Sequence, residues 1–396
     1  MTPVGLLAGL SLAASIGILF LLLMVTMSFR LGEESIIQVI MSLVRDLLKK
    51  SNNSMDSRLR GNDSNINIPT ILMLIWCFAA CFWAPDLILS LKAVGGLLFF
   101  AIATLYLSSI DKSSFDELYN IAKKPLLYGL LCAIILFFVE YYSTGMISTT
   151  FRNLIQHKNM AFELPWLDRG VVFISLLSWV VMHNLLKQRQ IMLAISIYAS
   201  VTFMLYLSDS LAGFVGFILA SIAYVALYLS KMRLGWLMRI CFALYIVTMP
   251  IMAYKQDPLE ISNKYSIPDS AKHRLFIWNF AAKKIADHPI IGYGFSASKN
   301  MATENDIVHY GQYKWCLLPL HPHNNVLQIL LETGMIGLIL FMAIVDNILK
   351  WTIRNNSIIA AACFINYFFI GTISFGIWQS WWIGVGALFV VLIRKR

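Results

Sequence analysis

The sequence predicts an all-α, polytopic integral membrane protein with about 11–12 transmembrane helices and one large loop between two late helices. Three observations carry this. Hydrophobic residues make up 59% of the 396 and charged residues only 13%, whereas a soluble globular domain holds about 25% charged residues. Mean hydropathy is +0.71. The apolar residues also come in separate runs, most close to the roughly 17–25 residues that cross a bilayer as a helix.

The first run, Val4 to Met27, has no basic residue before it and no small-residue cleavage site after it. It reads as a retained helix. Arg30 to Asn67 is polar, with a weakly amphipathic piece at Ile36–Leu48. Within it, residues 51–65 hold too few apolar side chains to pack and read as a disordered insertion without chemistry. Ten further runs follow, at about 68–84, 90–108, 126–145, 170–186, 190–207, 209–229, 235–253, 325–345, 357–373 and 376–393. The chain thus divides into an N-terminal membrane part (1–253), a large loop (254–322) and a C-terminal membrane part (323–396).

Orientation follows from lysine and arginine. If the helices alternate, Lys112, Lys123 and Lys124 in one loop, Lys187 and Arg189, Lys231 and Arg233, and Lys350 and Arg354 in later ones, and the terminal Arg394-Lys395-Arg396 share one side. The positive-inside rule makes that side cytoplasmic, with the carboxyl terminus on it. The net charge of +10 is therefore a topology signal and calls for no nucleic acid. The loop and its flanking helix ends then face the periplasm. Of the six cysteines, five lie in apolar runs and only Cys316 in the loop, which implies no disulfide framework. Cys77 and Cys81 share a helix face and read as packing.

The loop has structure of its own. Asp269-Ser270 offers an N-cap, and Leu275, Trp278, Ala281, Ala282 and Ile285 recur at helical spacing. Lys283, Lys284 and Asp287 fall off that face, and Pro289 closes the helix after His288. An amphipathic helix packed on the membrane domain is expected, followed by a tight turn at Gly292-Tyr293-Gly294. The loop ends at His321-Pro322-His323-Asn324. Proline disfavours helical geometry in the residue before it, so the next helix should begin at about His323–Asn324. Its first turn presents unpaired N–H groups and a positive dipole end. A histidine there can take a proton near neutrality.

His323-Asn324, nine residues, then Gly334-x-x-Gly337 resembles the signature of the bacterial O-antigen ligases, within a wider ligase and polymerase family of membrane glycosyltransferases. The run Arg274, Trp278, His288-Pro289 and Gly292-Tyr293-Gly294 ahead of it resembles that family's loop. The likeness covers roughly residues 168–340.

The resemblance implies an inverting glycosyltransferase of the inner membrane. It would move a glycan from undecaprenyl diphosphate to a hydroxyl of a lipid A–core acceptor at the periplasmic face, with no metal and no cofactor. His323 matches the family histidine taken as the base, a role needing a pKa near neutrality beside the acceptor hydroxyl. Arg274 matches the family arginine on the diphosphate, where a permanent, forked cation suits the leaving group. Arg169, in Asp168-Arg169-Gly170, resembles a recurring position and joins the substrate-binding candidates. Lys92 lies a few residues into a span, where it reaches the lipid diphosphate or snorkels to the interface. Asn324 is expected to orient a neighbour and His321 to assist binding. Gly334 and Gly337 read as small residues on one helix face that allow close approach.

One departure stands out. Where the family has a Ser-Arg pair opening a middle helix, this chain reads Ser208-Asp209-Ser210-Leu211, with leucine at the arginine position. Within the same class, the alternatives are an O-antigen polymerase and a protein O-glycosyltransferase. From another class, a transporter of a small solute or anion predicts midplane charges and internal repeats, and few midplane charges and no repeat are visible. A zinc site on His309, His321 and His323 lacks accompanying thiolates or a Glu-x-x-His helix. Glu140, near a helix end, reads as packing before sugar binding.

Overall fold

The computed structural model describes residues 68–109, 112–156 and 161–394. The retained helix at Val4–Met27 and the insertion at 51–65 lie outside them. In order the helices are α1 (Ile68–Ala80), α2 (Leu87–Ser109), α3 (Lys112–Tyr142), α4 (Met146–Gln156), α5 (Asp168–Lys187), α6 (Ile191–Leu207) and α7 (Leu211–Leu229). Then come α8 (Gly235–Lys255), α9 (Pro258–Lys264), α10 (Asp269–Asp287), strands β1 (Ile307–Tyr310) and β2 (Tyr313–Cys316), and α11 (Asn325–Arg354), α12 (Ile358–Gly371) and α13 (Ser380–Arg394). Among the described residues, six stretches are long and apolar enough to cross a membrane by length and composition, and Ile68–Trp83, Ile191–Leu207, Ile358–Gly371 and Ser380–Ile393 are shorter apolar helices. All ten runs read from the sequence in this range are helical. Large apolar side chains such as Ile75, Ile102, Tyr206, Ile222, Leu244 and Met252 are exposed on these helices, a surface that lipid covers and water does not. The chain is an all-α polytopic membrane protein.

The chain forms two compact units. The first holds Thr104–Ala220 together with the residues from Leu388. Its centre is α5, apolar and buried on nearly every side from Gly170 to Met182, which marks a core helix rather than an amphipathic one. Its buried Ser175 and Ser178 hydroxyls satisfy themselves on the carbonyls of Val172 and Ser175, at 2.8 and 2.7 Å. Two features depart from expectation. Lys112, Lys123 and Lys124 are not in a loop, because α3 runs from Lys112 straight through Pro125. Phe115, Ala122, Leu126 and Leu130 are buried along it, so one apolar stripe continues across the polar segment. After α3 comes a short helix, α4, whose first turn is capped by Glu140. That carboxylate accepts from the amides of Ser148 at 2.7 Å and Ile147 at 3.0 Å. Glu140 is thus a capping residue at a helix N-terminus, where a carboxylate is favourable.

The second unit holds Asn65–Ala103 together with Ser221–Ala387. Its spine is α11, which packs on α1, α8 and α10. Between α8 and α11 the chain folds as α9, α10 and an antiparallel hairpin with Tyr310 opposite Tyr313 and Val308 opposite Trp315. The sequence reading did not contain the hairpin. It is held by rings: Trp315 stacks with Tyr310, Tyr313 and the imidazole of His273 on α10. The loop helix starts at Asp269 with Pro268 as its N-cap and no side-chain cap, so the expected Asp269-Ser270 cap is displaced by one proline. Cys77 and Cys81 are buried free thiols, as are all six cysteines free.

Candidate functional site

The site begins with a broken helix. Inside α11, Gly334 has φ 66° and ψ −167°, a backbone state that interrupts the helix. Only glycine reaches it without strain. The break frees carbonyls above it and amides below it, and the chain after α10 fills both. Tyr293 and Gly294 donate to the carbonyls of Leu331 and Glu332 at 2.9 and 3.0 Å, while Met335 donates to Pro289 O at 2.9 Å. A Cβ on Gly334 would lie 2.1 Å from Ile290 O, and one on Gly292 would lie 2.6 Å from the Glu332 carbonyl carbon. The expectation that Gly334 sits on a helix face is therefore corrected. Gly334 opens the helix so that the Gly292-Tyr293-Gly294 turn can dock on it.

Above the break, each residue from Asn324 to Gly334 is buried. Asn324 is the N-cap of α11, its Oδ1 accepting from Val326 N at 3.0 Å and Leu327 N at 3.1 Å. Its Nδ2 donates to Tyr245 Oη at 2.9 Å and Thr372 O at 3.0 Å. Every polar atom of this side chain has a protein partner, and the residue is 0% exposed.

His323, one residue earlier, adopts φ 52°, so the chain turns sharply between Pro322 and the helix. Its Nδ1 lies 2.7 Å from Ser374 O, in the segment joining α12 and α13. A carbonyl only accepts, so Nδ1 carries the proton and Nε2 is left with its lone pair. The His323 pKa is lowered to about 4, chiefly by burial and to a lesser degree by the charges of Arg274 and His273, with the Ser374 contact opposing them. At neutral pH the ring is neutral with a lone pair on Nε2, and its pKa lies below the near-neutral value expected of the base. Arg274, on α10, is thus near enough for its charge to be felt at His323. Arg274 is half-buried on the second turn of α10, its Nη1 donating to Ser270 O at 3.1 Å.

His321 is buried, with its Nδ1 3.2 Å from the His323 amide and its Nε2 3.2 Å from Gln379 Nε2. The two imidazole centroids are 4.2 Å apart. The loop bearing them is pinned from α10, since Trp278 Nε1 donates to Pro322 O at 3.0 Å. Buried Asn279 fixes α10 in turn, its amide reaching the carbonyls of Ala253, Tyr254 and Gln256 at 2.9–3.2 Å at the end of α8.

The other candidates sit elsewhere. Lys92 is exposed on the second turn of α2, two residues after Ser90, whose Oγ donates to Phe295 O at 2.6 Å. Arg169 lies half-buried on the first turn of α5, in the first unit, as does Leu211, which is 57% exposed at the start of α7. His309 is exposed on β1. The sequence reading missed Ser374, Gln328 and Glu332. Nothing local in the sequence points to the Ser374 carbonyl. Glu332 did carry a signal, as a carboxylate inside an apolar helix, where such a group is costly unless it has partners.

A family model described as O-antigen ligase matches residues 191–342, from α6 to just below the break. It takes in Arg274, both histidines, Asn324 and Gly334, and leaves out Lys92, Arg169 and Ser374. Proteins carrying the name "Putative polysaccharide ligase" match over longer spans. One from Rickettsia typhi is 36% identical across 98% of this chain and 94% of its own length. One from Rickettsia bellii is 35% identical across 99% and 94%, and one from Rickettsia conorii 38% across 82% and 78%.

Proposed function

This chain belongs to the O-antigen ligase family, and on that premise we propose that it is a metal-independent, inverting glycosyltransferase. It moves a glycan from undecaprenyl diphosphate to a hydroxyl of a lipid A–core acceptor, at the periplasmic face of the inner membrane. The observation that carries this reading is His323 at the head of α11, its Nδ1 2.7 Å from the Ser374 carbonyl, with the Arg274 charge acting on it from α10.

In this mechanism His323 Nε2 takes the proton of the acceptor hydroxyl as its oxygen attacks the anomeric carbon. The bond from that carbon to the diphosphate breaks on the opposite face, which inverts the centre. Charge then grows on the leaving diphosphate, and a cation already in place there stabilises the transition state more than the ground state. Arg274 has the permanent charge and the fork for it. The donor arrives activated by its diphosphate, so no nucleotide is consumed. Asn324 holds the helix end under His323 and His321 supports the His323 backbone, while Arg169 and Lys92 are the further cations offered to the lipid donor. With leucine at position 211, either Arg169 or Lys92 takes over the duty of the family's middle-helix arginine, or this chain handles its donor differently.

The test is the lipopolysaccharide profile of a ligase-deficient bacterial host that carries this chain. Wild type should restore glycan-capped lipid A–core and His323→Ala should not, at equal membrane abundance. Capping by both would end the assignment of His323 as the base.

A further inference from the structure

Glu332 is a carboxyl group with 0% exposure, two turns into α11, and the transfer step above makes no use of it. Three donors converge on it. Its Oε2 accepts from the Ser296 amide at 2.6 Å, and its Oε1 accepts from Ser298 Oγ at 2.5 Å and Gln328 Nε2 at 3.0 Å. The other end of the Gln328 amide, Oε1, accepts from the Ile377 amide at 3.0 Å. Ile377 lies three residues beyond Ser374, whose carbonyl receives the His323 Nδ1 proton at 2.7 Å. Gly376, between them, has so little room that a Cβ would lie 3.0 Å from the His321 ring and 3.2 Å from Gln328 Oε1.

These bonds have a direction. The Ser296 N–H and the Gln328 NH2 can only donate, so Glu332 accepts at both oxygens and keeps the NH2 end of Gln328 turned toward itself. The carbonyl end of that amide then faces Ile377 N–H and holds the segment that carries Ser374. That segment presents a carbonyl to Nδ1 of His323, which favours the tautomer with its proton on Nδ1 and leaves Nε2 bare. We propose that Glu332 is a positioning residue: through Gln328 and the Ile377 amide it sets the tautomer and aim of the His323 imidazole. The proposal rests on His323 being the base, and the experiment separates the two.

A single Glu332→Gln substitution cannot satisfy the site. If its oxygen faces Gln328, its NH2 meets the Ser296 N–H. If it is turned round, Gln328 must flip and show its own NH2 to the Ile377 N–H. One buried donor then faces another, an arrangement that costs about 10- to 100-fold where it governs activity. The exchanged pair, Glu332→Gln with Gln328→Glu, is different. The new amide gives its NH2 to Glu at 328 and keeps its oxygen for Ser296 N–H. Ser298 accepts from that NH2 and gives its proton to Leu320 O, already 3.2 Å away. The carboxylate at 328 receives Ile377 N–H, and each donor again has an acceptor.

The experiment measures transfer by the purified full chain in lipid, together with ring 15N shifts of histidine-labelled protein. The His323 signal is assigned by its loss in His323→Ala. Glu332→Gln should lower kcat about 10- to 100-fold with donor KM within about threefold, and should shift the His323 ring signal away from the Nδ1–H form. The exchanged pair should recover most of both. Gln328→Met cuts the path without touching the carboxylate, and carries the test if Glu332→Gln does not accumulate. A wild-type kcat and an unchanged tautomer in Gln328→Met overturn the proposal, as does an exchanged pair no better than Glu332→Gln. If His323→Ala itself transfers at the wild-type rate, the base assignment fails. The tautomer shift then still decides whether Glu332 positions the ring.

Discussion

The two halves of α11 are built on opposite principles. Above Gly334, each residue from Asn324 is buried, and Asn324, Gln328 and Glu332 hydrogen-bond to α8 and to the segments around Ser296 and Ile377. Below it, burial recurs with helical spacing at Gly337, Leu338, Val345, Leu349 and Thr352, and the polar groups are charges near the end of the helix. Arg239 Nε lies 2.6 Å and Lys350 Nζ 2.7 Å from the two oxygens of Asp346. A cavity of about 280 Å3 opens beside them, walled in part by Phe242, Ile246, Met342 and Leu349. A buried hydrogen-bond network fails as a whole when one member is lost, because the remaining groups cannot turn to water. A half-exposed ion pair rearranges. Substitutions of equal size should therefore hurt far more above the break than below it.

The largest effect expected is on His323. Removing a general base costs about 10²–10⁴ in rate, so His323→Ala should lose transfer while still binding the lipid donor. Its pH profile is a second check. With a pKa near 4, below the ordinary histidine value, the ring keeps its basic form down to mildly acidic pH. Transfer should stay level from pH 8 to about 5 and fall as the pH nears 4. A fall centred near 6.5 would mean that the ring is solvated and the upper half looser than described. Arg274→Ala should cost about 10²–10³, the scale of a lost transition-state donor, and should weaken donor binding as well. Arg274→Lys, which keeps the charge and loses the fork, should fall between. His321→Ala should lose much less than His323→Ala, because its ring supports the loop and takes no proton in the mechanism.

Gly334→Ala tests the break itself. Backbone strain of about 1–3 kcal/mol and overpacking of about 1–3 kcal/mol act together there, since the new methyl would meet the Ile290 carbonyl. Gly311→Ala in the hairpin turn is the control. It has φ 57° with open space around the missing Cβ, so it should cost only the left-handed penalty of about 1–2 kcal/mol. Thermal midpoints in detergent measure both. Equal midpoints would mean that the Gly292-Tyr293-Gly294 turn does not depend on the break.

The same contrast explains what the sequence made legible. Membrane helices were readable because each is a single contiguous run, and all ten between 68 and 393 are present. Lys112 to Lys124 misled because charge marks a loop only when no apolar stripe underlies it, and Phe115 and Ala122 supply one. The helix start at about His323–Asn324 followed from Pro322, but Asn324 was expected to orient a neighbour and is the N-cap instead. Gly334 was visible as a glycine, but its φ was not, because the reason for the break lies 40 residues earlier in the turn that docks on it. The Ser374 carbonyl was invisible for a simpler reason. Any residue has a carbonyl, and only the packing of 374 against 323 selects this one.

The smallest effect should come from the ion pair at the other end. Arg239 is the fifth residue of α8 and Lys350 the fifth from the end of α11, so both can reach headgroups and water along their aliphatic stems. The side chains of Arg239 and Asp346 are 40% and 34% exposed. At such exposure a pair is worth about 0.2–1 kcal/mol, because solvent screens it and two long side chains lose freedom in making it. A double-mutant cycle with Arg239→Gln and Asp346→Asn should give a coupling in that range, and Lys350 should make up part of what Arg239 loses. Raising the salt to about 1 M, where the screening length falls to about 3 Å, should shrink it further. Transfer activity should be unchanged in all three variants. A coupling above about 2 kcal/mol that survives salt would show the pair to be desolvated. The lower half of α11 would then be built as rigidly as the upper, and the division at Gly334 would not be one of rigidity.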